Sequence, residues 1–291
     1  MNTLDRRTFL GTMGAALLVA RRATAASIPR LGAQLYTVRT ELEKDFEGTL
    51  AKVAAIGFTE VEFAGYFKQT PEQVRDVLKR HRLTAPSAHI DYASLTGDKW
   101  AAVIDSARTI GHTYLVNAWV DESIRKQPDA WKRIADTYNR AGEASARAGI
   151  QFAYHNHNFE FVPLAEPAGT LPYDLLLESC DAKLVKMELD LCWISSAGKD
   201  PLEYFRRYPG RFPLVHVKGL TAVPATGAAT PIDRVLPEIT DVGHGDVIDW
   251  KRIFAESKMA GITHWFVEHD VPKQPFDSLQ ASYQYLTRLR F

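Results

Sequence analysis

From residue 31 onward the chain alternates between two hydrophobic periods. Short runs rich in β-branched and aromatic residues are each followed by a longer stretch whose apolar positions recur every three to four residues. The runs at 31–38, 58–63, 84–90, 114–119, 150–157, 184–191, 212–218 and 263–269 read as strands. The stretches at 46–56, 71–82, 98–110, 128–148, 172–179, 200–208, 249–259 and 275–289 read as helices. In the first of these, Phe46, Leu50, Val53, Ala54 and Ile56 fall close to helical spacing, and Gly57 stops it. Pro71 and Pro201 sit in first turns, while Gly111, Gly149 and Gly261 close three other helices.

Eight strand–helix units in a row demand a parallel sheet, because each crossover helix returns the chain to the same end. Eight such units match a closed (β/α)₈ TIM barrel, an α/β fold of one domain over residues 26–291. An open doubly wound sheet is the competing fold. It would carry a Gly-rich phosphate turn after the first strand, and Val38-Arg39-Thr40-Glu41 is not one. The loop at 221–233, rich in Ala, Thr and Pro, reads as a flexible lid or edge loop on the active face.

The first 25 residues do not join this pattern. Arg6-Arg7-Thr8-Phe9-Leu10 precedes a weakly apolar run and then Ala23-Thr24-Ala25-Ala26. A charged start, a short apolar run and small residues at a cut site make an export signal, and the paired arginines resemble the twin-arginine type. Cleavage is expected after Ala25, which puts the mature protein in a periplasm or outside the cell with no membrane anchor. The 291 residues are 46% hydrophobic and 24% charged, an ordinary globular composition. Lys+Arg and Asp+Glu are both 35, so nothing favours nucleic acid as a partner. Cys180 and Cys192 are too few for a disulfide framework and read as two buried thiols.

In such barrels the chemistry stands at the C-terminal ends of the strands. Here the second strand ends in Glu60-Val61-Glu62, the third in His89-Ile90-Asp91, the fourth in Asn117-Ala118-Trp119 and the fifth in His155-Asn156-His157. The sixth ends in Glu188-Leu189-Asp190, the seventh in His216-Val217-Lys218 and the eighth in Glu268-His269-Asp270. Ionisable groups after apolar strand centres are costly unless paired or bound to something. Side chains alternate along a strand, so His155 with His157, Glu188 with Asp190, and His216 with Lys218 share faces. His155, Asp190, His216 and Glu268 are therefore expected to hold one divalent metal ion, with His157 as the other choice on the fifth strand. Two carboxylates and two imidazoles suit Mn, Zn, Co or Fe better than Mg.

These segments, with Gly57-Phe58-Thr59-Glu60-Val61-Glu62 and Gly243-His244-Gly245-Asp246-Val247-Ile248-Asp249-Trp250, resemble the xylose isomerase-like barrel superfamily that includes sugar phosphate isomerase/epimerases. The resemblance implies Glu, Asp, His and Glu ligands on strands five to eight. Asp190, His216 and Glu268 match, whereas His155 stands where the epimerases carry Glu. Trp193 stands where many of them place a substrate-contacting histidine. The shared chemistry implied is proton removal next to a carbonyl, with a metal-stabilised enediolate. Glu268, Glu62, Glu188 and His157 are the candidate bases. Lys218 is a candidate for holding an oxyanion or hydroxyl, or for a salt bridge. His89, Asn117, Trp119, Trp193 and His244 are assigned to substrate contact, with Phe159 as a further apolar platform.

Three functions remain open on the sequence. Isomerisation or epimerisation of a small sugar comes first. Metal-dependent elimination or hydrolysis of a keto-oxidised glycoside is favoured by export and by the missing fifth-strand Glu. A carbohydrate-binding barrel without catalysis is the third. The substrate is a sugar or sugar derivative in each case. Oligomeric state is not legible.

Overall fold

The computed structural model describes residues 26–127, 129–165 and 168–291. The export signal expected at 1–25 lies outside them. Eight strands close into a parallel barrel: Gly32–Gln34, Glu60–Phe63, Thr84–Ile90, Tyr114–Asn117, Gln151–His155, Val185–Asp190, Leu214–Val217 and His264–Val267. The first strand pairs with both the second and the eighth, which leaves no barrel edge unpaired. The helices lie between successive strands, as the alternation of periods requires.

Alternation within strands stacks the barrel interior in layers. At the bottom Glu60 accepts from Arg30 Nη1 at 2.7 Å and faces His264 Nδ1 at 2.9 Å. Above them Val116, Ala153, Leu214 and Phe266 form a small apolar plug. Gly32 gives Phe266 room to lie across it: a Cβ there would meet the ring at 2.5 Å. One more step along each strand brings Glu62, His89, His155, Glu188 and His216 to the next layer. The larger core lies between the barrel and its helices, and Trp193, Trp250, Tyr138 and Tyr154 are among its fully buried side chains.

The second and third strands end where the periodicity suggests, at Phe63 and Ile90, but the other six are shorter at their upper ends. The first ends at Gln34, whose Oε1 accepts from Tyr36 N and turns Leu35–Val38 into a 3-10 helix. The fourth ends at Asn117, not at 119. Its Nδ2 donates to Ile90 O and Trp119 O and folds the chain over. The fifth ends at His155, because the Glu160 carboxylate collects His157 N and the Tyr154 hydroxyl and bends the segment into Phe159–Phe161. The sixth ends at Asp190, which caps an unexpected helix, Leu191–Ser196. Cys192 thus lies in a helix and not at a strand end; it and Cys180 are both free and buried. The helix expected at 249–259 is two short ones, Trp250–Ala255 and Ser257–Ala260.

The segment after the seventh strand is built, with Gly219–Leu220 pairing antiparallel to Ile239–Thr240. Between them come the helical turns Gly227–Ala229, Ile232–Val235 and Leu236–Glu238. It is tied down where the Asn158 Nδ2 donates to Thr230 O at 2.6 Å.

Candidate active site

The strand ends open into a cavity of about 410 Å³. His89, His155, His157, Lys218, Glu268 and Asp270 supply its polar lining. Tyr36, Trp119, Trp193, Ile232, Leu236 and Val271 supply its apolar lining. A concave apolar pocket with a few convergent polar groups is the usual form of a small-molecule site.

Local structure aims the key groups. Asp190 Oδ1 accepts from Cys192 N at 2.9 Å and Trp193 N at 2.8 Å, capping the helix that follows. Its Oδ2 is buried and has no hydrogen-bond partner. That atom stands 3.7 Å from His216 Nδ1, 3.8 Å from His155 Nε2 and 3.0 Å from Lys218 Nζ. His216 Nδ1 is 2.9 Å from Glu268 Oε2. The opposite nitrogen of His216 lies 2.7 Å from Glu62 Oε2, which fixes the ring. Glu62 is itself held by Gln34 Nε2 at 2.6 Å and Ser87 Oγ at 2.5 Å.

The charges are crowded and dry. Burial disfavours the protonated forms of His89 and His216, but neighbouring carboxylates win. Glu62 and Glu188 raise His89 to about 9, and Glu188 with Glu268 holds His216 well above its usual value. Lys218 is likewise held as an ammonium against burial by Asp190, Asp270 and Glu268. Its three N–H groups face those carboxylates at 3.0, 2.9 and 2.5 Å. Burial raises Asp190 to about 6 and lowers His157 to about 3. His157 is therefore a neutral ring, and its Nδ1 has no partner. Burial also holds His155 well below the usual histidine range. Glu268 goes the other way: against burial, Lys218 and His216 hold its carboxyl well below the usual range.

The donor set fits a divalent cation. One atom each from Asp190, His216 and Glu268 lies within 4.8 Å of the others, and the same holds for His89, His155, Glu188 and His216. Asp190 Oδ2, which accepts no hydrogen bond and has the Lys218 ion pair at 3.0 Å, is the atom a cation would bind, and carboxylate with imidazole is borderline-metal chemistry. His155, expected as a fourth ligand of the first set, falls in the second, with its Nδ1 3.3 Å from Glu188 and its Nε2 3.8 Å from Asp190.

The expected site residues divide accordingly. His89, Trp119, His155, His157, Trp193, Lys218 and Glu268 all line the cavity. Asp190 and His216 lie fully buried at its base. Glu62 and Glu188 stand one layer lower, bound to the imidazoles and not to the cavity. Two assignments are displaced. Asn117 lies buried behind the wall, its amide donating to Ile90 O and Trp119 O and accepting from the Tyr138 hydroxyl at 2.6 Å. His244 lies in a separate depression beside Lys251, Tyr285 and Arg288. Its motif is structural: Asp246 collects Leu220 N, Gly243 N, Ile248 N and the Trp250 indole N–H. The sequence reading missed Asp270, Tyr36, Ile232, Leu236 and Val271. Alternation from Glu268 points to Asp270, and the end of the first expected strand points to Tyr36. The rest come from loops with no periodic signal.

The chain is similar to known proteins in sequence and in fold. An inosose dehydratase of Lacticaseibacillus casei is 23% identical over 273 residues, covering 84% of this chain and 89% of that one. A crystal structure described as a sugar phosphate isomerase/epimerase from Parabacteroides distasonis ATCC 8503 superposes with a TM-score of 0.73. It is 25% identical, covering 90% of this chain and 95% of that one. The IOLI protein, solved with a bound zinc atom, shares the fold at 13% identity and a TM-score of 0.66, over 88% of this chain and 95% of that one. Residues 50–289 match the family described as xylose isomerase-like TIM barrel, and the chain belongs to that family.

Proposed function

We propose that this protein is a metal-dependent lyase that eliminates a leaving group β to the ketone of an oxidised sugar, a keto-glycoside in particular. The observation that carries the reading is the convergence of Asp190 Oδ2, His216 Nδ1 and Glu268 at the base of a cavity that is also lined by a neutral imidazole, His157. Isomerisation came first on the sequence. Elimination is now better supported, because the relatives with whole-length matches are named dehydratases and His155 stands where a two-glutamate epimerase needs a carboxylate.

Asp190, His216, Glu268 and His155 would hold the cation. When bound, a divalent ion there supplies Lewis-acid polarisation of the substrate carbonyl. His157, which lines the cavity, takes the proton from the carbon next to the carbonyl. The electron pair of that C–H bond forms a C=C bond to the neighbouring carbon, and that carbon's bond to oxygen breaks. The leaving oxygen keeps the pair and takes a proton from His89, held as imidazolium by Glu62 and Glu188. Lys218 ion-pairs with three carboxylates and donates a hydrogen bond to Asp270, so its role is to neutralise their charge. Trp193 lines the cavity and offers its ring to the substrate. Export through residues 1–25 would place the enzyme where intact glycosides are met.

Elemental analysis of protein purified without added metal, beside Asp190→Ala and His216→Ala, tests the site. About one Mn, Zn, Co or Fe per chain in the parent and little in either variant is expected. Assays then compare keto-oxidised glycosides with free sugars. Turnover of free sugars alone would return the protein to the isomerases, and a parent that takes up no metal on titration would end the metal-assisted reading.

A further inference from the structure

The cavity has two zones, and a monosaccharide satisfies only one. Its base is polar, with His89, His155, His157, Lys218, Glu268 and Asp270 within reach of a sugar ring. Its rim is apolar and left open to solvent: Trp119 is 41% exposed, Tyr36 40% and Val271 47%. Ile232 and Leu236, from the segment after the seventh strand, complete the rim. Exposed aromatic surface clustered at one mouth is a mark of recognition.

The two rim aromatics are fixed before anything binds. The Trp119 ring stands edge-on to His157 at 5.1 Å and to Phe159 at 5.4 Å, and its Nε1 donates to Asp121 Oδ1 at 3.2 Å. The Arg39 guanidinium covers the Tyr36 ring at 3.9 Å and donates to Tyr36 O and Asp270 O at 2.7 and 3.0 Å. Rigid aromatic platforms cost little conformational entropy on binding. A sugar ring can stack its C–H face on either aromatic but sets its hydroxyl edges against Ile232, Leu236 and Val271, whereas a flat apolar group gains from stacking and burial together.

We infer that the rim around Trp119 and Tyr36 is a subsite for the leaving group, and that the substrate is a keto-glycoside with an aryl-bearing aglycone. The inference rests on the elimination reading above and adds the chemical class of the group expelled. The group leaves as the alcohol, having taken its proton at the base of the cavity, and departs through the rim that held it.

The test pairs two keto-oxidised glucosides with leaving alcohols of similar acidity, 2-phenylethyl and methyl. The phenylethyl compound should have a roughly ten-fold lower KM. That preference should shrink severalfold in Trp119→Ala and again in Leu236→Ala, with folding checked by circular dichroism. Equal KM values, or a preference that both variants retain, would overturn the subsite while leaving elimination intact. If neither keto-glucoside turns over, the elimination reading fails, and calorimetry with the unoxidised pair judges the subsite alone. Tighter binding of phenylethyl glucoside, weakened in Trp119→Ala, sustains it; equal affinity overturns it.

Discussion

His112 is buried with its Nδ1–H donating to Ala85 O at 2.6 Å and its Nε2 3.0 Å from the Tyr66 hydroxyl. Both contacts are made by the neutral ring, and burial lowers its pKa to about 4. The unfolded chain binds this proton near pH 6.5, so between about pH 6.5 and 4 the unfolded state carries more protons than the folded one. Stability therefore falls as pH drops through that window, by an amount on the order of 3 kcal/mol from this residue. Urea unfolding of parent and His112→Gln at pH 7.5 and 4.5 should show a smaller loss on acidification in the variant; parallel losses would remove His112 as a cause. At the same scale Asp190 divides its oxygens, one spent on a helix cap and one turned to Lys218 and the imidazoles. Residue type announced that carboxylate, but only the turn after it decided which oxygen faces the other site groups.

Among the elements, the helix Ala130–Arg147 packs flush against the entry to the sixth strand. A Cβ on Gly142 would stand 2.6 Å from Leu184 O, a backbone atom that cannot turn aside. Alanine would favour the helix by about 1 kcal/mol, yet overpacking against fixed backbone costs about 1–3 kcal/mol. Gly142→Ala is therefore expected to lower the urea midpoint with an unchanged m-value, and a raised midpoint would show that the helix can shift. Elements were legible in the sequence as alternating periods, down to the prolines and glycines that bound them. Most of their upper ends were not. Asn117, Glu160 and Asp190 end strands through side-chain bonds to backbone, which no hydrophobic period records.

For the whole molecule, a cation bound by the sixth, seventh and eighth strands links elements that the unfolded chain keeps far apart in sequence. A ligand that binds only the folded state stabilises it by about 2.7 kcal/mol at a hundred-fold excess over Kd. Zinc or manganese added to metal-stripped protein should therefore raise Tm by roughly 5 °C or more. Asp190→Ala should show little of that rise, and equal rises would place the metal elsewhere. The barrel also gathers the rim: Tyr36, Trp119, Ile232, Leu236 and Val271 follow four different strands and meet only because the ring closes.

By itself the sequence determined the eight strand–helix units, the parallel barrel they imply, and the polar residues at the strand ends. Those properties depend on local period and residue type, which neighbours in the chain carry. Tertiary structure alone decided which of those groups converge. Glu62 and Glu188 point at imidazoles below the cavity, Asn117 is spent on backbone, and His244 faces another surface. It also decided that Lys218 meets three carboxylates and that an apolar rim overlies a polar base. These depend on inter-strand register and on loop paths around a closed ring, where partners are set by distances across the barrel and not along the chain.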